Sequence, residues 1–100
     1  MIYITQLIYL KEGKEAVFEA FEKVAIPSIG RYRGKLLLRI RPDREAYLES
    51  QIEAPYEVHL AAFETEIDFQ AFLKDEERQR FLHLKEESIR SSLMIRGTPL

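Results

Sequence analysis

With no cysteine in the chain, thiol nucleophiles, disulfides and thiolate metal clusters are excluded, and side-chain chemistry falls to acids, bases and two histidines. His59 stands in the segment Glu57-Val58-His59-Leu60-Ala61-Ala62-Phe63. If that segment is a strand, Glu57 two positions earlier shares its face. Arg39 and Arg41, in the alternating run Lys35-Leu36-Leu37-Leu38-Arg39-Ile40-Arg41, come within reach on a neighbouring strand. An imidazole beside a carboxylate can take or give a proton near neutral pH, and an arginine can hold an anionic substrate or an enolate. The expected site is therefore His59 and Glu57 as the acid-base pair, with Arg39, Arg41, Tyr3 and Thr5 as binding residues. The alternative is that His59, Glu57 and Arg39 satisfy one another in a polar network that stitches an interface.

The remaining chemistry-bearing residues have plainer readings. His83 lies between Leu82 and Leu84 in a charged segment and is expected at a partly exposed helical position. Two distant histidines with scattered carboxylates lack the third and fourth ligands of a metal site, so no metal is expected. Gly13 and Gly30 are isolated, which argues against a phosphate-cradling loop and leaves no organic cofactor implied. Tyr9, Tyr32 and Tyr56 read as packing residues whose hydroxyls reach the rim. Arg31, Arg33, Lys35, Arg39 and Arg41 form the one basic concentration, yet the net charge is −2 and the aromatic-basic motif of RNA-binding sheets is missing. No nucleic-acid partner is expected. The run Asp75 to Arg80 reads as a solvated helix face with Glu76 and Arg80 paired across four residues.

The elements that must position these groups follow from periodicity. Ile2 to Leu10 are β-branched and aromatic with no Pro or Gly, the pattern of a strand. From Glu15 the period changes, with Val17, Phe18, Phe21, Val24, Ala25 and Ile29 recurring at three- and four-residue steps, as an amphipathic helix requires. Pro27 predicts a kink or a new turn near Ile26. A second strand spans residues 35 to 41, residues 42 to 54 make a long loop, and a third strand follows Pro55 to about Glu64. Thr65 and Asp68 form an approximate capping box for a helix burying Phe69, Phe72 and Leu73. Helix is expected to continue from Asp75 to Arg90, followed by a short strand from Ser92 to Arg96 and a tail.

One hundred residues with 46% hydrophobic content suit a single domain, 1–100, with a small core. The order β, α, β, β, α, β with right-handed crossovers gives a ferredoxin-like plait: α+β, a four-stranded antiparallel sheet with the helices on one face. An open α+β sandwich with another strand order is the alternative. Sorting each strand by its period of two assigns Ile2, Ile4, Ile8 and Leu10, Leu36, Leu38 and Ile40, Val58, Leu60 and Ala62, and Leu93 and Ile95 to the helix-facing core. Gln6 breaks that set, by a bulge or a shifted register. The opposite face would carry Tyr3, Thr5, Leu7, Tyr9, Lys35, Leu37, Arg39, Arg41, Glu57, His59, Ala61, Phe63, Met94 and Arg96. So mixed a face is neither open to water nor a dry core, and a second copy packed on it as a homodimer is the economical cover.

The stretch Tyr9-Leu10-Lys11-Glu12-Gly13-Lys14-Glu15-Ala16-Val17-Phe18 resembles the strand, Gly-Lys and helix start of the dimeric α/β-barrel superfamily. Pro27-Ser28-Ile29-Gly30-Arg31-Tyr32-Arg33-Gly34-Lys35 is similar to a Pro-x-Ile-x-x-Tyr-x-Gly-Lys/Arg pattern of its NIPSNAP-like and domain-of-unknown-function branches. Glu57 to Phe63, Phe69 to Leu73 and Asp75-Glu76-Glu77-Arg78 fit the third strand and bipartite second helix of that plan. The resemblance implies a dimeric barrel fold; related barrels include monooxygenases, isomerases, lyases and ligand-sensing modules. Haem-degrading members use Asn and Trp beside His, and this chain has neither Asn nor Trp. The expected protein binds or transforms a small anionic or aromatic molecule without metal or organic cofactor, in a pocket between sheet and helices or at the dimer seam. The alternative is a non-catalytic dimerisation or regulatory module. No run is long enough to span a membrane and no basic leader opens the sequence, so a cytoplasmic location without membrane attachment is expected.

Overall fold

A computed structural model describes residues 1–100. Its elements are β1 (Ile2–Leu10), α1 (Glu15–Ile29), β2 (Gly34–Ile40), β3 (Glu57–Phe63), α2 (Glu66–Leu73), α3 (Glu76–Arg80), α4 (Leu82–Ser88) and β4 (Ile89–Gly97). The strands pair antiparallel in the order β2-β3-β1-β4, the ferredoxin-like arrangement. Helices lie on one face only, and the opposite face carries no second layer.

Local signals account for most boundaries. The Thr65 hydroxyl accepts from the Asp68 amide at 3.1 Å while the Asp68 carboxylate accepts from the Thr65 amide, the full capping box that starts α2. Asp75 caps α3 by accepting from the Arg78 amide at 2.9 Å. Pro27 does not break α1 where the kink was expected. The helix runs through it to Ile29 and then tightens into a 3₁₀ turn, Gly30–Tyr32. Proline sits here within the final turn, where only one ladder bond is lost and Ser28 donates to the Ala25 carbonyl at 2.6 Å. The helix expected over 75 to 90 is two helices separated at Phe81, and β4 begins at Ile89, three residues before the expected start. Glu76 and Arg80 form no ion pair.

Face assignment is where periodicity alone misleads. In β1 the expected set holds: Ile4 and Ile8 are buried under the helices, and Gln6 lies on the same face in regular register, opposite His59 and Met94. In β3 the expectation is reversed. Ile2 pairs with Phe63, Ile4 with Ala61, Gln6 with His59 and Ile8 with Glu57, so the odd-numbered residues face the helices and Val58 and Leu60 do not. In β4, Met94 and Arg96 share the helix face with Gln6 and Ile4, while Leu93 and Ile95 pair with Leu7 and Thr5 on the other. β2 changes face midway. Leu36 pairs with Ala61, but a bulge at Leu37 brings Leu38 opposite Leu60, Arg39 opposite His59 and Ile40 opposite Val58.

The side-chain packing explains the choice. Phe63 is buried, with its ring 5.3 Å from both Phe69 and Phe72, and Ile4, Ile29 and Ala61 complete the cluster. Gly34 admits that ring: a Cβ there would lie 2.6 Å from the Phe63 ring and 2.8 Å from Ile29. The open face becomes largely apolar, with Leu38 44%, Ile40 40%, Leu93 50% and Ile95 51% exposed. Gly34→Ala should overpack this corner and lower unfolding free energy by about 1–3 kcal/mol, checked by chemical denaturation; an unchanged midpoint would show that Phe63 can withdraw.

Candidate functional site

The structure brings Glu57, His59, Arg39 and Arg41 together, on the helix side of the sheet and not on the open face where the strand period put them. The Glu57 side chain is fully buried. Arg39 Nε donates to its Oε2 at 2.8 Å, Arg41 Nε donates to Oε1 at 2.7 Å, and His59 Nε2 bonds to Oε2. Arg39 Nη2 also donates to Glu19 of α1 at 3.1 Å, and Arg41 pairs with the same carboxylate. Both arginines are thus occupied by carboxylates. Burial pushes the Glu57 carboxyl up, but the bonds from Arg39, His59 and Arg41 outweigh it and hold it below the ordinary range. Burial lowers His59 below 6.5 despite the Glu57 bond, and the positive charges of Arg39 and Arg41 push the same way. At pH 7 the imidazole is therefore neutral, Nε2 donates to the ionised Glu57, and Nδ1 is left as a free acceptor with no protein partner.

Tyr3 and Thr5 do not join this group. They lie on the open face against Leu60 and Ile95, in a shallow depression near Gly97. The other aromatic and basic residues also have structural partners. Tyr32 donates to Asp75 at 2.6 Å, Tyr9 donates to the Glu53 carbonyl at 2.8 Å, and Tyr56 packs edge-on against Phe18 under Arg41. Arg31 and Arg33 pair with Asp75 and Asp68. His83 is exposed and stacked on Phe81. No three metal-ligating side chains stand together. No helix is long and apolar enough to cross a membrane.

His59 lines a partly open cavity of about 70 Å³ between the sheet and the helices, space for a few waters or for part of a small organic molecule. Its wall is mostly aliphatic and aromatic. Four polar side chains besides His59 reach it, none of them among the expected site residues: Gln6 from β1, Glu22 from α1, Arg78 from α3 and Lys85 from α4. Glu22 is 7% exposed and Arg78 8% exposed, so the run Asp75 to Arg80 is not wholly a solvated face. Arg78 lies over the rings of Phe21 and Phe72 and donates Nη1 to the Leu73 carbonyl at 3.2 Å, but its buried Nε has no acceptor. Burial pushes Glu22 up to about 7, against the pull of Arg39, Arg78 and Lys85 and with the repulsion of Glu57. The sequence does hold a signal for Glu22. It occupies the apolar stripe Phe18, Phe21, Ala25, Ile29 of α1, where a carboxylate belongs only if something inside needs it. Arg78 and Lys85 carry no such mark.

No family model matches the sequence, and no curated protein matches it. Solved structures do. A protein of unknown function from Rhodopseudomonas palustris is 18% identical with a TM-score of 0.84, covering 99% of this chain and 82% of its own. A NIPSNAP-family protein of unknown function from Agrobacterium tumefaciens is 20% identical with a TM-score of 0.69, covering 99% and 87%. A protein described as a putative antibiotic biosynthesis monooxygenase from Nitrosomonas europaea is 16% identical with a TM-score of 0.69, covering 100% and 99%. The fold they share with this chain is the ferredoxin-like α+β arrangement. At these identities the likeness fixes the fold, and chemistry must be argued from the cavity.

Glu22 has a consequence for stability. Its pKa is 4.5 when unfolded and about 7 when folded, so the stability it contributes is fully present below pH 4.5 and is lost as pH rises through 7. Glu22→Gln should therefore be the more stable form at pH 8, by up to about 3 kcal/mol, with little difference at pH 4. Denaturation at the two pH values checks this; an equal effect at both would mean that Glu22 titrates normally.

Proposed function

We propose that this protein binds a small anionic or aromatic molecule in the cavity beside His59 and that His59 takes a proton from it or returns one, with no metal or organic cofactor. The observation that carries this reading is a neutral imidazole whose one nitrogen is fixed by an ionised, buried carboxylate while the other is unpartnered at the wall of an apolar cavity. Glu57 fixes the tautomer and stabilises the imidazolium that forms on proton uptake. Arg39 and Arg41 keep Glu57 ionised and so act as positioning residues, with no free donors committed to a ligand. Gln6, opposite His59 in the sheet, can donate to an oxygen on which negative charge develops.

Hydrogen–deuterium exchange of a small carbon acid such as acetylacetone tests the proton-transfer step. Wild type should accelerate exchange over His59→Gln by about 100-fold or more, the usual share of a positioned base. The rate should rise as His59 deprotonates below pH 6.5 and be level by pH 7. Glu57 is saturated by three donors, which also suits a purely structural network. Binding without exchange, or exchange untouched in His59→Gln, would leave that second reading, a non-catalytic dimerisation or regulatory module.

The open sheet face supports the second half of the proposal, a homodimer. Four large aliphatic side chains about half exposed on one face are more than an isolated soluble domain usually leaves uncovered. A second copy packed face to face would cover them and remove the cost. Sedimentation should give a dimer for wild type and a monomer for Leu38→Glu combined with Ile95→Glu. A monomeric wild type would rule the barrel out.

A further inference from the structure

The charges around the cavity do not balance without a ligand. On the β2–β3 side, Glu57 and Glu19 cancel Arg39 and Arg41, and His59 is neutral. On the helix side Arg78 and Lys85 both reach the cavity, neither in an ion pair; Glu22 is the one carboxylate lining the cavity with them, while Asp75 attracts Arg78 and Glu86 attracts Lys85 from outside it. Glu22 has no hydrogen-bond partner, and Arg78 holds a buried Nε that lacks an acceptor. Two cations at an apolar cavity wall without a paired anion cost free energy, and a bound anion removes that cost.

Building on the cavity reading above, we infer that the ligand carries one carboxylate-like anionic group, that this group docks on Arg78 and Lys85 with its apolar body among Phe21, Phe63 and Phe72, and that Glu22 is protonated in the bound state. A bound carboxylate can accept from Arg78 Nη2 and Lys85 Nζ, neither of which has a protein acceptor. It also stands beside Glu22, and two carboxylates in one buried site cannot both stay ionised without cost, so one keeps a proton. Glu22 is the group already nearest to holding it, since burial raises it to about 7. The groups facing Glu22 are Arg39 on β2, Glu57 and His59 on β3, Arg78 on α3 and Lys85 on α4. Of these, Lys85 has no hydrogen-bond partner and Arg78 keeps only the Leu73 carbonyl and the two ring faces, so both can share a ligand's charge, and as they do their help to the ionised form of Glu22 falls. Above pH 7, binding therefore draws a proton from solvent, and His59 Nδ1 remains the group that faces the ligand's body. Burial lowers Arg78 and Lys85 from their ordinary values, as expected for cations short of partners.

Benzoate and its neutral isostere benzamide serve as probes, with calorimetry for affinity and proton uptake and the His59 imidazole resonances as a report of cavity occupancy. Near pH 6, benzoate should bind at least about tenfold more tightly than benzamide, the factor a charged hydrogen bond commonly supplies. Arg78→Gln should remove that preference and leave benzamide within about twofold, while Arg78→Lys, which keeps charge and stem, should retain part of it. Above pH 7, wild-type affinity for benzoate should fall by up to about tenfold per pH unit with uptake of about one proton, and Glu22→Gln should flatten both. If both probes shift His59 with equal affinity, the cavity reading stands and the anion assignment falls. If benzoate keeps its preference in Arg78→Gln, or takes up no proton in wild type, the roles given to Arg78 or Glu22 are wrong. If neither probe moves His59, the cavity reading itself fails.

Discussion

A carboxylate with no solvent exposure sits at the centre of this sheet, and much of the architecture answers it. Glu57 ionised and unpaired under the helices would cost several kcal/mol, and three donors from two strands remove that cost. Arg39 and Arg41 can both reach it only because a bulge at Leu37 turns the second half of β2 over. Without the extra residue, Leu38 and Ile40 would point at the helices and the arginines into the open. One local irregularity thus puts two cations beside the buried anion and, on the other side, Leu38 and Ile40 on the open face. The same network sets the His59 tautomer, so the sheet register and the acid-base state of the site are one problem.

The helices complete a division of labour. On the β2–β3 side the charges cancel within the protein, which suits positioning. At the α3–α4 end they do not, which suits recognition. Arg78 and Lys85 line the cavity with Glu22 as the one carboxyl beside them. The aromatic cluster of Phe63, Phe69 and Phe72 gives the space its shape, and Gly34 lets Phe63 into that position. That shape suits the proposed ligand, an apolar body with a single charged end.

Element order, the capping box at Thr65, and the placement of Ile4 and Ile8 in the core were legible from residues alone, because they depend on contacts a few positions apart. The grouping of Glu57, His59, Arg39 and Arg41 was legible too from their common odd parity on neighbouring strands, although the structure realises that parity only beyond the bulge at Leu37. Their face was not. In β3 the even set, Val58, Leu60 and Ala62, looks more like a core than a set containing Glu57 and His59, and only the pairing of Phe63 with Ile2 and its packing on Phe69 decide otherwise. Arg78 and Lys85 read as solvent-facing charges, because nothing within their own turns shows that α3 and α4 lie across α1.

The sequence by itself therefore determined the plait, its ends and caps, and the company that His59 keeps, all consequences of short-range periodicity and turn chemistry. The tertiary structure decided which side of the sheet that company occupies, that Tyr3 and Thr5 stand apart from it, and that Glu22, Arg78, Lys85 and Gln6 share its cavity. The reason is physical: a period of two names two faces but not which is buried, a one-residue bulge exchanges them, and both are settled by pairing between residues far apart in the chain.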